Sequence, residues 1–588
     1  MHLNSICIVR EEVKEYPYMR EKFRPSIAYP EYLFGKEISR QDNIVYDMMR
    51  RGFEMLGMDA VNFGKAQWNP LGNIIKQGDT VLLKPNLVLH KNRSGCGTDC
   101  LYTHPALLAA MVDYVCIALK GTGKIVIGDA PVQECDFETL VQQSGYDILV
   151  DFYKERGIDI ELVDFRNVKT YEKDGLHYLQ EEEQENGVVV KLDSKSAFAD
   201  VGTERMQKLR ITNYDPRILQ QHHYGTTHEY MISKYVLDAD VIINMPKPKT
   251  HRKAGVTISL KNLVGINTNK EFLPHHTLGS KDEGGDAYLH ENSLLKMANE
   301  ILDIKNQLVH DNEMDLAEMA ENLHRVMYER GKKQAGEEYW EGSWYGNDTI
   351  WRTIMDLNRI VYYADKNGEM TNKLQRKLFI VGDMIVSGEK EGPLWPTPTY
   401  PGTIIMGDDP LKFDRVTCSL MGFDYHLIPT LYNDELLDTD LSFTDNSELN
   451  LISNYENWNK KSIEEIREHY SLEFQPSLGW IKKLGNKYRD KLYNRLLEKG
   501  SPVYIFGAGK NGIYAMEELK SHGIEVSAFC DNNSQLWGTE ITEGIKCIGL
   551  DNADKNMPFI VATKEQTTPV ITKQIEASGG EVFGIINT

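Results

Sequence analysis

The chain has 588 residues, too many for one ordinary core, so two or three domains are expected. Its 41% hydrophobic and 26% charged content is that of a globular protein, and a formal net charge of −21 argues against a general nucleic-acid-binding surface. No apolar run approaches the ~20 residues needed to span a bilayer, the N-terminus lacks the apolar core of a secretory signal, and eight scattered cysteines fit reduced thiols, so a cytoplasmic protein is expected.

The first strong element is an apolar strand from Thr80 that ends in Lys84-Pro85-Asn86. A loop containing Cys96 and Cys100 follows; with no matching second cysteine pair, no iron–sulfur cluster is expected there. Thr103-His104-Pro105 opens a helical pattern through Leu119, with the proline in the first turn, where a missing N–H costs little. A second strand, Lys124 to Asp129, then completes a parallel βαβ unit. Residues of about 166–210 read as a polar, partly β insertion whose acidic run, Glu181 to Glu185, is a solvated face. His222, His223 and His228 lack the spacing of a helical metal site.

The stretch Val241–Lys270 opposes the charge of everything around it. It holds Lys247, Lys249, Arg252, Lys253, Lys261 and Lys270 and no acid. Val241 to Met245 reads as a buried strand, after which Pro246 and Pro248 stop regular pairing and leave the basic residues in an extended loop. Cations at a strand end of an open α/β sheet suit a phosphate or carboxylate. Thr257 and Lys261, four apart, share one face if the segment is helical.

Leu294 to Arg330, inside a second insertion of about 280–345, reads as two helices, and Asn347 or Asp348 can cap a helix from Thr349 to Tyr363. Two later strands end in Gly382-Asp383 and Gly407-Asp408-Asp409. Asp129, Asp383 and Asp409 therefore all stand at predicted strand ends, and gathered on one rim they would hold Mg²⁺ or act as acid and base. Residues 431–500 read as a helical connector. The C-terminal unit, 501–588, opens with an apolar strand running into Gly507, Gly509 and Gly512, then a helix, then a strand ending in Asp531. That order predicts a Rossmann-like half in which the glycines admit a diphosphate and Asp531 accepts ribose hydroxyls.

The segments VLLKPNLV, THPALL, IVIGDAP, PKPKTHRKAGVTISLKNLVGI, GEKEGP and GDDPLKFDRVTCSLMG, in that order, resemble family 362 of the domains of unknown function, over about residues 1–430. The resemblance implies an α/β main domain with a mixed, mostly parallel sheet. Members carry ferredoxin-type cysteine clusters elsewhere; this chain has no CxxCxxC run. FGAGKNG with FCDNN resembles Rossmann-like modules appended to bacterial glycosyltransferases and sugar-modifying enzymes of surface polysaccharide pathways.

The function expected on these grounds is an enzyme of cell-surface glycan or related metabolism acting on a phosphorylated or carboxylated, nucleotide-linked small molecule. Lys84, Lys247, Lys249, His251 and Lys261 would clamp the anion, with His251 the general acid or base. Asn86, Thr257 and Asn262 would orient substrate, and Asp129, Asp383 and Asp409 would bind Mg²⁺ or move protons. The C-terminal unit would take a nucleotide or nucleotide-sugar at Gly507, Gly509, Gly512 and Asp531. Homo-oligomers and glycan-pathway enzymes are the partners this reading implies. The alternatives are a non-catalytic nucleotide-sugar sensor or scaffold, which predicts exposed and dispersed cations, and an NAD(P)-dependent oxidoreductase.

Overall fold

The computed structural model describes residues 5–17, 23–35, 37–173, 176–181, 186–336, 341–432, 441–445, 447–564 and 566–586. The protein is α/β. Its main sheet has eight strands, β1 (Ser5–Arg10), β2 (Thr80–Pro85), β3 (Lys124–Asp129), β4 (Ile160–Asp164), β5 (Val241–Met245), β6 (Lys377–Met384), β7 (Thr403–Gly407) and β8 (Asn450–Ser453). They lie in the order β8-β1-β7-β6-β5-β2-β3-β4, and all run the same way except β7, which is antiparallel to both neighbours. Crossovers cover both faces, so the strands are apolar throughout rather than alternating. Leu82, Val126, Ile242 and Ile380 pack into one core, while Val81, Leu83, Ile125, Ile127, Ile243 and Phe379 pack into the other. Helix α1 (Pro105–Leu119) starts on His104, whose Nδ1 accepts from Ala106 N, and is buried along nearly its whole length in the second core.

Past the end of β5 the basic stretch is not a loop. Lys249–His251 is an inner strand of a four-stranded sheet, flanked by Gly255–Thr257 on one side and Ser387–Glu391 on the other, with Trp395–Thr399 beyond. Pro246 and Pro248 end pairing within the main sheet, but the chain finds new partners from Lys249 on, so its backbone groups are satisfied while buried. Helix α2 (Ser259–Asn262) follows, its first N–H groups capped by Asp414: Ser259 N and Leu260 N donate to the carboxylate at 2.8 and 3.0 Å. The second insertion forms a helical hairpin, α3 (Ser293–His310) and α4 (Met314–Ala335). Helix α5 (Ile350–Tyr363) packs in the first core and is capped by Asn347, whose Oδ1 accepts from Thr349 N and Ile350 N. Helix α6 (Pro410–Met421) follows β7 and carries Asp414. In the first insertion, the hairpin of Val168–Lys173 and Leu176–Glu181 is β as expected; the rest of the acidic run lies outside the described residues.

The described residues of 431–500 are divided between the two units rather than forming one helical connector. β8 is an edge strand of the main sheet, and Trp458 and Trp480 belong to its core. The helix Lys487–Lys499 buries Leu492, Tyr493 and Leu496 in the C-terminal core. The C-terminal sheet comprises β9 (Val503–Phe506), β10 (Val526–Cys530), β11 (Glu540–Thr542), β12 (Ile545–Ile548), β13 (Pro558–Val561) and β14 (Glu581–Ile585), in the order β11-β12-β10-β9-β13-β14. All are parallel except β11. Helix α7 (Lys510–Ser521) follows β9, and the strand order reverses between β9 and β13, the usual ligand position in such sheets. Among the described residues no helix is long and apolar enough to cross a membrane, and all eight cysteines are free.

Candidate functional site

The carboxyl ends of β2, β3, β5 and β6 share one rim because these strands are parallel. Lys84, at the end of β2, is fully buried, and its Nζ lies 2.7 Å from Asp129 Oδ1 at the end of β3. Leu87 N donates to the other Asp129 oxygen at 2.7 Å. The pair is roofed by Gly265: a Cβ there would fall 1.9 Å from Asp129 Oδ1 and 2.9 Å from Lys84 Nζ, so only glycine fits. Beside it runs a chain of buried amides. Lys249 Nζ donates to Asn86 Oδ1 at 2.7 Å, Asn86 Nδ2 to Asn262 Oδ1 at 3.0 Å, Asn262 Nδ2 to Asn244 Oδ1 at 2.7 Å, and Asn244 Nδ2 to Ser259 O at 2.9 Å. Asn86 and Asn262 therefore position Lys249 and the start of α2; they are not free to orient a substrate through those atoms.

Above this floor opens a cavity of about 490 Å³, within the usual size of small-molecule sites. Its lining includes seven lysines and arginines (Arg93, Lys249, Arg252, Lys253, Lys261, Lys270, Lys305) against four acids (Asp129, Glu134, Glu321, Glu341). The excess is the reverse of the whole chain, at −21. Asp129 is already engaged by Lys84. The Lys261 ammonium faces the cavity, and no described residue accepts a hydrogen bond from it. Thr257 Oγ1 is buried with no hydrogen-bond partner among the described residues. Lys270 Nζ donates to Ala130 O at 2.8 Å. Trp395 forms part of the wall, with the guanidinium groups of Arg93 and Arg252 over its ring at 4.9 and 4.6 Å from the centroid. Trp480 braces the basic hairpin: its Nε1 donates to Arg252 O at 2.8 Å and its ring would lie 3.1 Å from a Cβ on Gly255.

Burial and mutual repulsion set the protonation of these groups. Burial pushes Lys249 down to about 7, with Lys247 adding to the effect, and pushes Lys261 down to about 8, with Lys84 adding. Lys270 falls to about 7 and Lys253 to about 8, burial again the main cause. His251 is held well below the ordinary imidazole range by burial and then by Lys261, so it is neutral. Its Nδ1 accepts from Lys253 N and Ala254 N, both at 3.1 Å, which puts its proton on Nε2. His251 is therefore a neutral N–H donor rather than the general acid or base expected. His275 has the opposite tautomer: Nδ1 bonds Leu273 O at 2.6 Å, leaving the Nε2 lone pair, and burial drops its pKa to about 3.

Of the residues singled out from sequence, His251, Lys261, Asp129, Asn86, Lys249, Thr257 and Asn262 line one cavity, and Lys84 sits directly beneath it. Thr257 and Lys261 reach it from a strand end and a helix rather than from one helical face. Lys247 and Asp383 do not line it. They form a separate fully buried pair, 3.0 Å apart, closed by Tyr16, whose hydroxyl donates to Asp383 Oδ1 at 2.6 Å; Asp383 Oδ2 also accepts from His104 N at the start of α1. Asp409 lies at the opposite rim because β7 is antiparallel: Gly407 pairs with Ile380 and Thr403 with Met384. It caps α6 through Lys412 N and accepts from Thr444 Oγ1. The three aspartates thus do not make a shared Mg²⁺ site, and no cluster of three potential ligands occurs among the described residues. His222 and His223 are tied to Glu229 and to Phe272 O. Lys253, Lys270 and His275 are site residues that the sequence reading passed over, although the two lysines stand in the same basic stretch. Lys305, His324 and Glu341, from the distant insertion, carried no local signal.

In the C-terminal unit the three glycines differ. A Cβ on Gly507 would meet Ala562 O at 2.4 Å and one on Gly512 would meet Gly507 O at 1.9 Å, whereas one on Gly509 would meet nothing within 4 Å. The first and third are required by the fold; the second fronts open space at the start of α7. Asp531 is occupied by the loop itself, its Oδ2 accepting from Ala508 N at 3.0 Å and its Oδ1 from Asn533 N at 2.9 Å.

A curated relative, thylakoid-associated protein sll1697 of Synechocystis sp., is 28% identical over 213 residues, which are 36% of this chain and 46% of that protein. The chain thus spans about half the length of that relative. No solved structure matches the chain. The family described as Domain of unknown function (DUF362) matches residues 81–192 and 186–419, a span that contains every residue lining the cavity. Because that match covers more than half of the sequence, the chain belongs to this family.

Proposed function

We propose that the cavity binds a small phosphorylated or carboxylated molecule and that the protein is an enzyme acting on it. The observation that carries this is the Lys261 ammonium, facing the cavity with no acceptor among the described residues while Lys249, Lys253 and Lys270 crowd the same space. Desolvated like charges are costly to hold together, and an anion offsets that cost. Lys249 and Lys270 each spend two hydrogen bonds on the protein, leaving one N–H apiece for a ligand. His251 Nε2–H supplies a neutral donor. Lys261, titrating near pH 8, is the group suited to give or take a proton. Burial of the cations around one cavity favours this reading over a scaffold with a dispersed cationic surface.

A second ligand, a nucleotide or nucleotide-sugar, is proposed at Gly509, supported by the open space there and by the reversal of strand order beside it. The cavity takes no residue from the C-terminal unit, which favours two separate sites over one NAD-and-substrate site. A place in glycan metabolism rests on the FGAGKNG resemblance alone.

A thermal-shift and calorimetric screen with sulfate, phosphate, nucleotide-sugars and NAD(P), on the wild type, Lys261→Met and Gly509→Val, tests both. Sulfate and phosphate should stabilise the wild type, and Lys261→Met should weaken them about tenfold or more. Gly509→Val should leave that response intact and abolish any nucleotide response. Failure of every anion to bind would remove the proposal.

A further inference from the structure

The cavity also holds two buried groups with open acceptors. Helix α4 contributes His324, and the segment after the hairpin contributes Glu341, both lining the same cavity as Lys261. Glu341 is 3% exposed and neither carboxylate oxygen has a hydrogen-bond partner among the described residues; His324 is 8% exposed and neither ring nitrogen has one. Buried carboxylates are ordinarily paired, and one with both oxygens open costs several hydrogen bonds' worth of solvation. Glu341 is also held with φ at +43°, a conformation an L-residue rarely adopts, and its backbone carbonyl accepts from Lys253 Nζ of the basic hairpin. Lys253, one of the cations lining the cavity, thus holds the Glu341 backbone in place.

Building on the anion-binding reading, we infer that the ligand is a small organic anion that also carries a hydrogen-bond-donating group, an ammonium or a hydroxyl, and that Glu341 with His324 receives that group. The anionic part meets Lys261, Lys249 and His251; the donor meets the two acceptors that the protein leaves open. Inorganic phosphate satisfies only the first half. A bifunctional ligand satisfies both, which makes Glu341 a specificity determinant rather than a support for the fold.

Calorimetric titration of the full chain with alkyl phosphates, ω-hydroxyalkyl phosphates and ω-aminoalkyl phosphates of graded chain length, beside inorganic phosphate, tests this. At the best-fitting length a donor-bearing probe should bind about tenfold or more tightly than the alkyl phosphate of equal length. Glu341→Gln should erase that preference, leave inorganic phosphate binding no weaker, and leave the melting temperature of the free protein equal or higher. The better of the amino and hydroxyl series identifies the donor. Phosphate binding without any donor preference, or a preference that survives Glu341→Gln, would overturn the inference while leaving the anion site standing. A fall in melting temperature in Glu341→Gln with the preference intact would make Glu341 a structural residue and overturn it too. No anion binding at all would remove both.

Discussion

Lys84 and Lys261 differ in their partners although both stand at one rim, the first fully buried and the second half-buried. Lys84 has a carboxylate 2.7 Å away; Lys261 lines the cavity with no acceptor among the described residues. Lys84→Met leaves Asp129 as an unpaired buried charge and is expected to cost about 3–5 kcal/mol by denaturant unfolding. Lys261→Met removes a repelled cation and should not lower stability. The pH dependence follows with its sign. Lys249, Lys261 and Lys270 have folded pKa values of about 7, 8 and 7, below the value of about 10.4 in an unfolded chain. Between about pH 7 and 10 the unfolded chain binds more protons, so these residues make stability rise with pH across that window, their full penalty lying below it. Anion binding runs the other way, since it favours the charged amines. Sulfate, which does not titrate here, should bind progressively more weakly from pH 7 to 9, with proton uptake seen as a buffer-dependent heat. An affinity independent of pH in that window would remove these lysines from the site.

Among the elements, strands and helices were legible in the sequence where the pattern was local. β2, β3, β5 and β6 announce themselves by apolar runs, His104-Pro105 opens α1, and Asn347 caps α5. Direction was not legible: an acid after an apolar run looks alike whether the strand is parallel or antiparallel, and that is why Asp409 falls on the wrong rim. The prolines after β5 read as a loop because the strands that pair Lys249–His251 include Ser387–Glu391, far along the chain. The cavity lining runs from Asn86 to Trp395, and His324 and Glu341 enter it from a separate insertion, so they had no local mark. The glycines of the C-terminal unit supply a test at this scale. Gly512→Ala, whose Cβ would lie 1.9 Å from a carbonyl oxygen, should lower the unfolding midpoint of that unit, and Gly509→Ala should not. Equal effects from both would show that the open space at Gly509 is not available.

At the scale of the whole molecule, a chain of net charge −21 concentrates cations where its parallel strands end and surrounds them with apolar layers. The excess acid is left elsewhere, and binding of a small anion at the proposed site should weaken as salt screens the local cations. The C-terminal sheet stands as a second α/β unit with its own core, joined through Lys487–Lys499. Anomalous diffraction from crystals soaked in selenate should show a peak within hydrogen-bond distance of Lys261 Nζ and His251 Nε2, between Lys249 and Lys270, and no such peak in Lys261→Met. Selenate found only on exposed lysines, with this cavity filled by water alone, would contradict the account.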